Sequence, residues 1–236
     1  MAAQHCTRAR LTVQPALSIL QLDTTFPRIP GDVACKETYT QPVEIVRIRA
    51  ASVAGIVRAD PAHIDITPFE EALKRAEAEL VVTSCGFLSF WQDHLVGLAD
   101  KRLISSALTQ LPALASEHSP DALMILTFDA AKLGSSHLRG HPEYLKSCVG
   151  LPTSDHLRGV IAHDQQDLDP VRAEAELLGL VKESLLSHHR AILLECTNLP
   201  PYAPAIRRAT GLPVFDILTA VEAMRPGLVA PEFLSG

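Results

Sequence analysis

Short apolar runs recur along the chain, and a knot of small polar residues closes most of them. Runs at 15–22, 43–48, 80–83, 102–106, 123–127, 147–150, 191–194 and 213–215 have the length and branched content of buried strands. Between them lie stretches with helical spacing of apolar residues. These are 68–79, entered through Pro68, then 88–98, 107–116, 168–188, and 217–224. A further helical segment opens at Pro200 and Pro201. Strand and helix alternate, which predicts parallel sheets covered by helices. In such sheets a ligand sits beyond the carboxyl ends of the strands. Asp23, Thr24, Thr83, Ser84, Cys85, Thr127, Thr197 and Asn198 all fall at such ends. One long connection, 26–42, is polar and broken by Pro27, Pro30 and Gly31, a length usually functional or mobile.

Composition narrows the class. The chain has 236 residues, 47% hydrophobic and 20% charged, enough for one α/β domain or two small ones. Net charge is −6 and no basic cluster stands out, so neither nucleic acid nor an anionic membrane is expected as partner. No apolar run reaches the ~18 residues of a membrane span. Arg8 and Arg10 near the start are followed by no apolar leader segment. Five cysteines at irregular spacing, with no CxxC pair, favour reduced thiols and a cytoplasmic protein over a disulfide framework or zinc site.

Two of those cysteines stand apart. Leu193-Leu194-Glu195-Cys196-Thr197-Asn198-Leu199-Pro200-Pro201 runs from a strand through a cysteine turn into a helical segment. Val81-Val82-Thr83-Ser84-Cys85-Gly86-Phe87 repeats the construction earlier in the chain. Each cysteine then sits where backbone N–H groups and a helix dipole favour an anion, and a thiolate is one. That setting is expected to lower a thiol that ordinarily titrates near ~8.5. Two similar halves would put one cysteine on each wall of a cleft. One thiolate could then remove a proton from the carbon beside a carboxylate while the other thiol returns a proton from the far side. Backbone N–H groups around Gly86 and Thr197 would hold the carboxylate. The bland alternative is that free cysteine is a small buried hydrophobe; it suffices for Cys6, Cys35 and Cys148.

At these residues the chain resembles the aspartate/glutamate racemase superfamily, the pyridoxal-independent group that includes hydantoin racemases, maleate isomerases and arylmalonate decarboxylases. The likeness runs through the first strand with Asp23-Thr24, the Thr83-Ser84-Cys85 turn, the strand end at Thr127, and Glu195-Cys196-Thr197-Asn198. The resemblance implies two pseudo-symmetric α/β domains with mainly parallel sheets and an active site in the cleft between them. Residues 1–102 plus 208–236 would form the first domain and 103–207 the second. It implies Cys85 and Cys196 as the acid/base pair. Asp23, Thr24, Ser84, Gly86, Thr127, Thr197 and Asn198 would bind substrate, with no cofactor and no metal. Glutamate racemases carry Asn-Thr after the first cysteine and Thr-His after the second. Here Gly86-Phe87 and Thr197-Asn198 stand instead. Arylmalonate decarboxylases keep only the second cysteine, so Cys85 argues against plain decarboxylation.

Other clusters carry less. His137 and His141 are four apart, but Gly140 and Pro142 make a shared helix face poor, and a solvated loop is expected. His188-His189-Arg190 is expected to close the long helix, and Asp164, Asp167 and Asp169 to cap its start. Phe87, Phe90 and Trp91 read as core, with Phe87 also placed to line a pocket. Arg28, Lys36, Arg47 and Arg49 could pair a second substrate carboxylate, against an equally weighted surface role. The expectation is therefore a racemase or epimerase inverting the α-carbon of a small carboxylate, an amino acid or derivative. The alternatives are cis-trans isomerisation of an unsaturated diacid by a nucleophilic cysteine, and a non-catalytic binding protein on the same fold. A homo-oligomer is compatible with the sequence and not required by it.

Overall fold

The structure, a computed structural model, describes residues 14–235. Cys6, Arg8 and Arg10 lie outside them. Two four-stranded parallel sheets form the framework. The first contains β1 (Leu17–Leu22), β2 (Val43–Ile48), β3 (Leu80–Thr83) and β4 (Arg102–Ile104) in the order β2-β1-β3-β4. The second contains β5 (Leu123–Thr127), β6 (Cys148–Gly150), β7 (Ala191–Leu194) and β8 (Val214–Phe215) in the order β6-β5-β7-β8. Both halves thus use one order: the first strand is flanked by the second and third, and the fourth lies outside. All pairings are parallel, with Leu20 beside Thr83 in one sheet and Leu126 beside Leu194 in the other. β3, β5 and β7 are buried along their whole length, which is why they read as continuous apolar runs rather than alternating ones.

Helices cover the faces: α1 (Val53–Ile56), α2 (Thr67–Arg75), α3 (Gln92–Val96), α4 (Leu111–Glu117), α5 (His156–His163), α6 (Pro170–Ser184), α7 (Ala203–Thr210) and α8 (Ile217–Met224). Among them, α1 and α5 were not legible in the sequence. α2 stops at Arg75, short of the expected 79, since Ala76–Glu79 must turn the chain into β3. α6 ends at Ser184 rather than 188, so His188 and His189 lie in the turn beyond it, where His189 Nδ1 accepts the Leu186 N–H at 2.9 Å. Asp169 caps α6 as expected, accepting from the N–H groups of Val171 and Arg172. Val171, an apolar residue in its first turn, is 79% exposed. The expected helix 88–98 is a 3-10 turn over Gly86–Trp91 followed by the short α3. Phe90 is exposed there, not core, while Phe87 is buried.

Strand order also bears on the division of the chain. β8 lies in the second sheet, so the chain crosses back later than residue 208. After α8, Leu228 accepts the Thr40 N–H and Val229 bridges to Tyr39. Arg225 donates to the Ala16 carbonyl. No helix among the described residues is long and apolar enough to cross a membrane.

Candidate active site

In each half the chain reverses its direction of travel across the sheet between its first and third strands. A crevice opens at that point, beyond the strand ends. In the first half it lies between Leu22–Thr24, after β1, and Ser84–Cys85, after β3. Ser84 Oγ accepts the Leu22 N–H at 3.1 Å and ties the two ends together. In the second half it lies between Thr127–Phe128, after β5, and Glu195–Cys196, after β7. There Thr127 Oγ1 donates to Glu195 Oε2 at 2.7 Å. The two crevices face one another, and Thr197 links them by donating to the Ser84 carbonyl at 2.7 Å. Both cysteines line the one cavity so formed.

The cavity is apolar over much of its wall, with Phe26, Phe87 and Phe128 presenting rings, and holds about 30 Å³, on the order of one water molecule. A latch joins the two halves nearby. Asp164, at a left-handed φ of 50°, accepts the Thr25 N–H (2.6 Å), the Phe26 N–H (2.8 Å) and the Thr25 hydroxyl (2.9 Å). Burial pushes the Asp164 carboxyl up, but those donors hold it below its ordinary value. Asp164 was expected only as a helix cap.

Thr24, Ser84, Gly86, Thr197 and Asn198 lie on the cavity wall. Asp23 does not: it pairs with Arg47 Nε at 2.7 Å, half-exposed outside the wall. Thr127 is spent on Glu195 rather than on the cavity. Asn198 is half committed, its amide donating to Asp32 Oδ2 at 2.7 Å. Arg28 is no surface residue. It lines the cavity with a 9% exposed side chain, donates to Asp32 Oδ1 (2.8 Å) and Thr24 Oγ1 (3.0 Å), and stacks on Phe26 at 4.6 Å. The connection 26–42 carries Arg28 and Asp32 inward; Asp32, Val33, Ala34 and Cys35 are all buried. His137, expected in a solvated loop, is fully buried, edge-on to Phe87 at 5.1 Å.

Sequence reading passed over Glu195. It is wholly buried; Oε2 takes the Thr127 hydroxyl, and Oε1 has no hydrogen-bond partner. Burial pushes its carboxyl up to about 7, although the Thr127 hydroxyl and the Phe128 N–H pull the other way. Its counterpart across the cleft is Gly86. A Cβ there would meet Glu195 Oε1 at 2.0 Å and the Glu195 carbonyl at 2.4 Å, so the two walls close only over a glycine. The signal was present: an acidic residue directly after a run of four apolar ones, in a strand buried on both faces.

The thiols reverse one expectation. Burial, then the Glu195 charge, push Cys85 up to about 12, against the Phe87 N–H and Arg28. Cys196 is pushed well above its ordinary value by burial and then Glu195, against the Asn198 N–H. The turn N–H groups act in the expected direction, but desolvation outweighs them. Burial thus favours the thiol form of both.

The fold has close counterparts. An arylmalonate decarboxylase superposes with a TM-score of 0.53 at 17% identity, over 92% of this chain and 96% of that one. Picrophilus torridus aspartate racemase gives 0.52 at 12% identity (92% and 97%). Allantoin racemase from Pseudomonas fluorescens gives 0.51 at 13% (93% and 97%). The chain has the fold of the aspartate/glutamate racemase superfamily. No family model matches it. In sequence it is 30% identical over 233 residues to dimethylsulfoniopropionate lyase 7 of Emiliania huxleyi, spanning 91% of this chain and 67% of the relative. It is 26% identical over 232 residues to the dimethylsulfoniopropionate lyase of Durusdinium sp. clade D (91% and 75%). The chain belongs to the family of these lyases.

Proposed function

We propose that the chain is a cofactor-independent enzyme whose cysteine removes the proton beside a carboxylate, and that its substrate is a β-sulfonio propionate, dimethylsulfoniopropionate in the first instance. The observation that carries this reading is the placing of Cys85 and Cys196 in one cavity whose wall combines aromatic rings with a single guanidinium. A sulfonium cation favours the faces of aromatic rings, as quaternary ammonium groups do. Phe26, Phe87 and Phe128 supply such rings. The opposite end of the molecule is a carboxylate. Arg28, with N–H donors beyond those given to Asp32 and Thr24, together with Thr197 and the turn N–H groups, suits it.

The chemistry follows from the substrate. A thiolate takes the α-proton, the charge that develops on the carboxylate is held by these donors, and the Cβ–S bond breaks with its electron pair leaving on sulfur. Cα and Cβ become doubly bonded, giving acrylate and neutral dimethyl sulfide, with the proton on the cysteine. Removing a proton beside a carboxylate is also the first half of α-carbon inversion. The second reading, a racemase of a small carboxylate, is favoured by the second thiol, for which simple elimination has less need. In either reading, the first half of the molecule runs to the end of β4 and the tail rejoins it after β8.

The test is incubation with dimethylsulfoniopropionate in deuterated water, with dimethyl sulfide read by gas chromatography and acrylate by proton NMR. D- and L-amino acids and hydantoins run in parallel for α-proton exchange. Dimethyl sulfide and acrylate in equal amounts, lost in Cys85→Ser or Cys196→Ser, is the expected result. Exchange on the chiral panel with no sulfide released would replace the lyase reading by the racemase one.

A further inference from the structure

A buried thiol that titrates far above neutrality is no base until its proton has somewhere to go. Water has little access: Cys85 is 7% exposed and Cys196 5%. The charged side chains around the cavity offer few acceptors. Arg28 is a cation. Asp32 is occupied at both oxygens, Oδ1 by Arg28 and the Ala34 N–H and Oδ2 by Asn198. His137 lies against Phe87 and is not part of the cavity wall. Glu195 remains. It lies on the wall, and its Oε1 is buried without a donor. That oxygen abuts Gly86, the residue directly after Cys85, closely enough that only glycine fits. Because Oε1 lies against the turn that carries Cys85, Cys85 is the thiol it serves.

We propose that Glu195 accepts the thiol proton of Cys85 and thereby makes the base of the site from within the protein. The S–H bond breaks, an O–H bond forms at Oε1, and the pair keeps its single negative charge, now on sulfur. The inference rests on the reading that Cys85 acts as a base. The thiolate keeps the Phe87 N–H and the nearby Arg28 charge as stabilisers, and the neutral carboxyl no longer repels it. Cys148 and Cys196 also feel the Glu195 charge; both remain thiols throughout. Thr127 holds Oε2 and the Phe128 N–H supports the carboxyl, while Oε1 faces Gly86 across the cleft. Glu195 is thus a positioning residue for the proton, acting through Cys85.

The direction of a pH shift separates this from a purely structural role. If Glu195 only held the cleft together, replacing its charge by an amide would lower the Cys85 pKa, since a repelling charge has gone. If Glu195 takes the proton, its loss removes the route by which thiolate forms near neutrality. The experiment is iodoacetamide labelling of the intact protein from pH 5 to 10, with Cys85 followed by peptide mass spectrometry. Wild type and Glu195→Gln are compared; Gln keeps the acceptor for Thr127 and the Phe128 N–H. In the wild type the labelling rate should climb through pH ~7 to a plateau, then rise again as the pair loses its last proton. In Glu195→Gln the first rise should move up by at least one pH unit, with labelling at pH 7 at least ~10-fold slower. An unmoved or lowered limb overturns the proposal. So does a wild type with no limb near pH 7, a result that needs no folded variant. Labelling requires no substrate, so a failure of the lyase reading shows separately, as absent turnover with the labelling limb intact.

Discussion

The two crevices share a strand order, a turn position and a cysteine, yet they are built for different work. The first is tied by Ser84, which holds Leu22, and Cys85 stands beside the Arg28 cation and the Phe87 N–H. The second carries the negative charge: Glu195 under Thr127, with Asn198 reaching across to Asp32. A duplicated fold places two side chains symmetrically about a substrate. Their roles are then set by what each half buries around them. Cys85 has a cationic neighbour and the turn of Phe87 to receive a charge, whereas Cys196 sits next to the acid in sequence with no cation among its influences. On this comparison Cys85 is the thiol equipped to become thiolate.

Removing either thiol tests the comparison most severely. Cys85→Ser and Cys196→Ser should each lower kcat/KM for the active substrate by about 10²–10⁴, the usual worth of a positioned acid or base. In an elimination that needs one base, Cys196→Ser should be the milder of the two. Equal losses would erase the asymmetry between the halves.

The charge in the second crevice should also appear in stability. Glu195 titrates higher in the folded chain, about 7, than its ordinary 4.5. The folded state thus binds more protons in between, and this contribution is present at low pH and lost as pH rises from 4.5 through 7. It amounts to up to about 3 kcal/mol. Asp216, buried and pushed up to about 6, adds a smaller loss of the same sign. Urea denaturation at pH 5 and 8 should show the fall, and Glu195→Gln should flatten most of it.

Gly86→Ala probes where the halves touch. The new methyl meets the Glu195 carboxyl at 2.0 Å and its backbone at 2.4 Å, so a loss of roughly 1–3 kcal/mol is expected from overpacking, with labelling of Cys85 faster as the walls part. Asn198→Ala strips Asp32 Oδ2 of its donor inside the protein and should cost about 1–3 kcal/mol, while Arg28 loses the support that orients it. Asp164→Asn is the mildest. The latch is solvent-screened, so global stability should change by less than ~1 kcal/mol, with the effect concentrated in KM and in faster substrate release. A larger effect on kcat than on KM would mean that the latch shapes the chemistry rather than the opening.

How much of this was legible before folding depends on how local each signal is. All eight strands stand within a few residues of where apolar runs put them; for β3, β5 and β7 the reason is burial on both faces, which writes itself as unbroken apolar sequence. The cysteine turns were legible for the same reason: each follows such a run directly. Helix α5 was not, since His156–His163 is short and carries Arg158 and Gly159 amid its apolar residues. Asp23 looked like a site residue by position but turns to Arg47. Arg28 reads equally as a substrate contact or a surface residue, and is buried against Asp32.

The sequence alone determined the alternation of strand and helix, the parallel sheets, and the two polar strand ends that carry Cys85 and Cys196. Those follow from periodicity and from turn chemistry within a few residues. Only the tertiary structure decided that Glu195 has one unpaired oxygen, that it presses on Gly86 from the other half, and that both thiols are raised rather than lowered. These depend on desolvation and on contacts between residues more than a hundred positions apart. No local pattern encodes how much water a folded wall excludes.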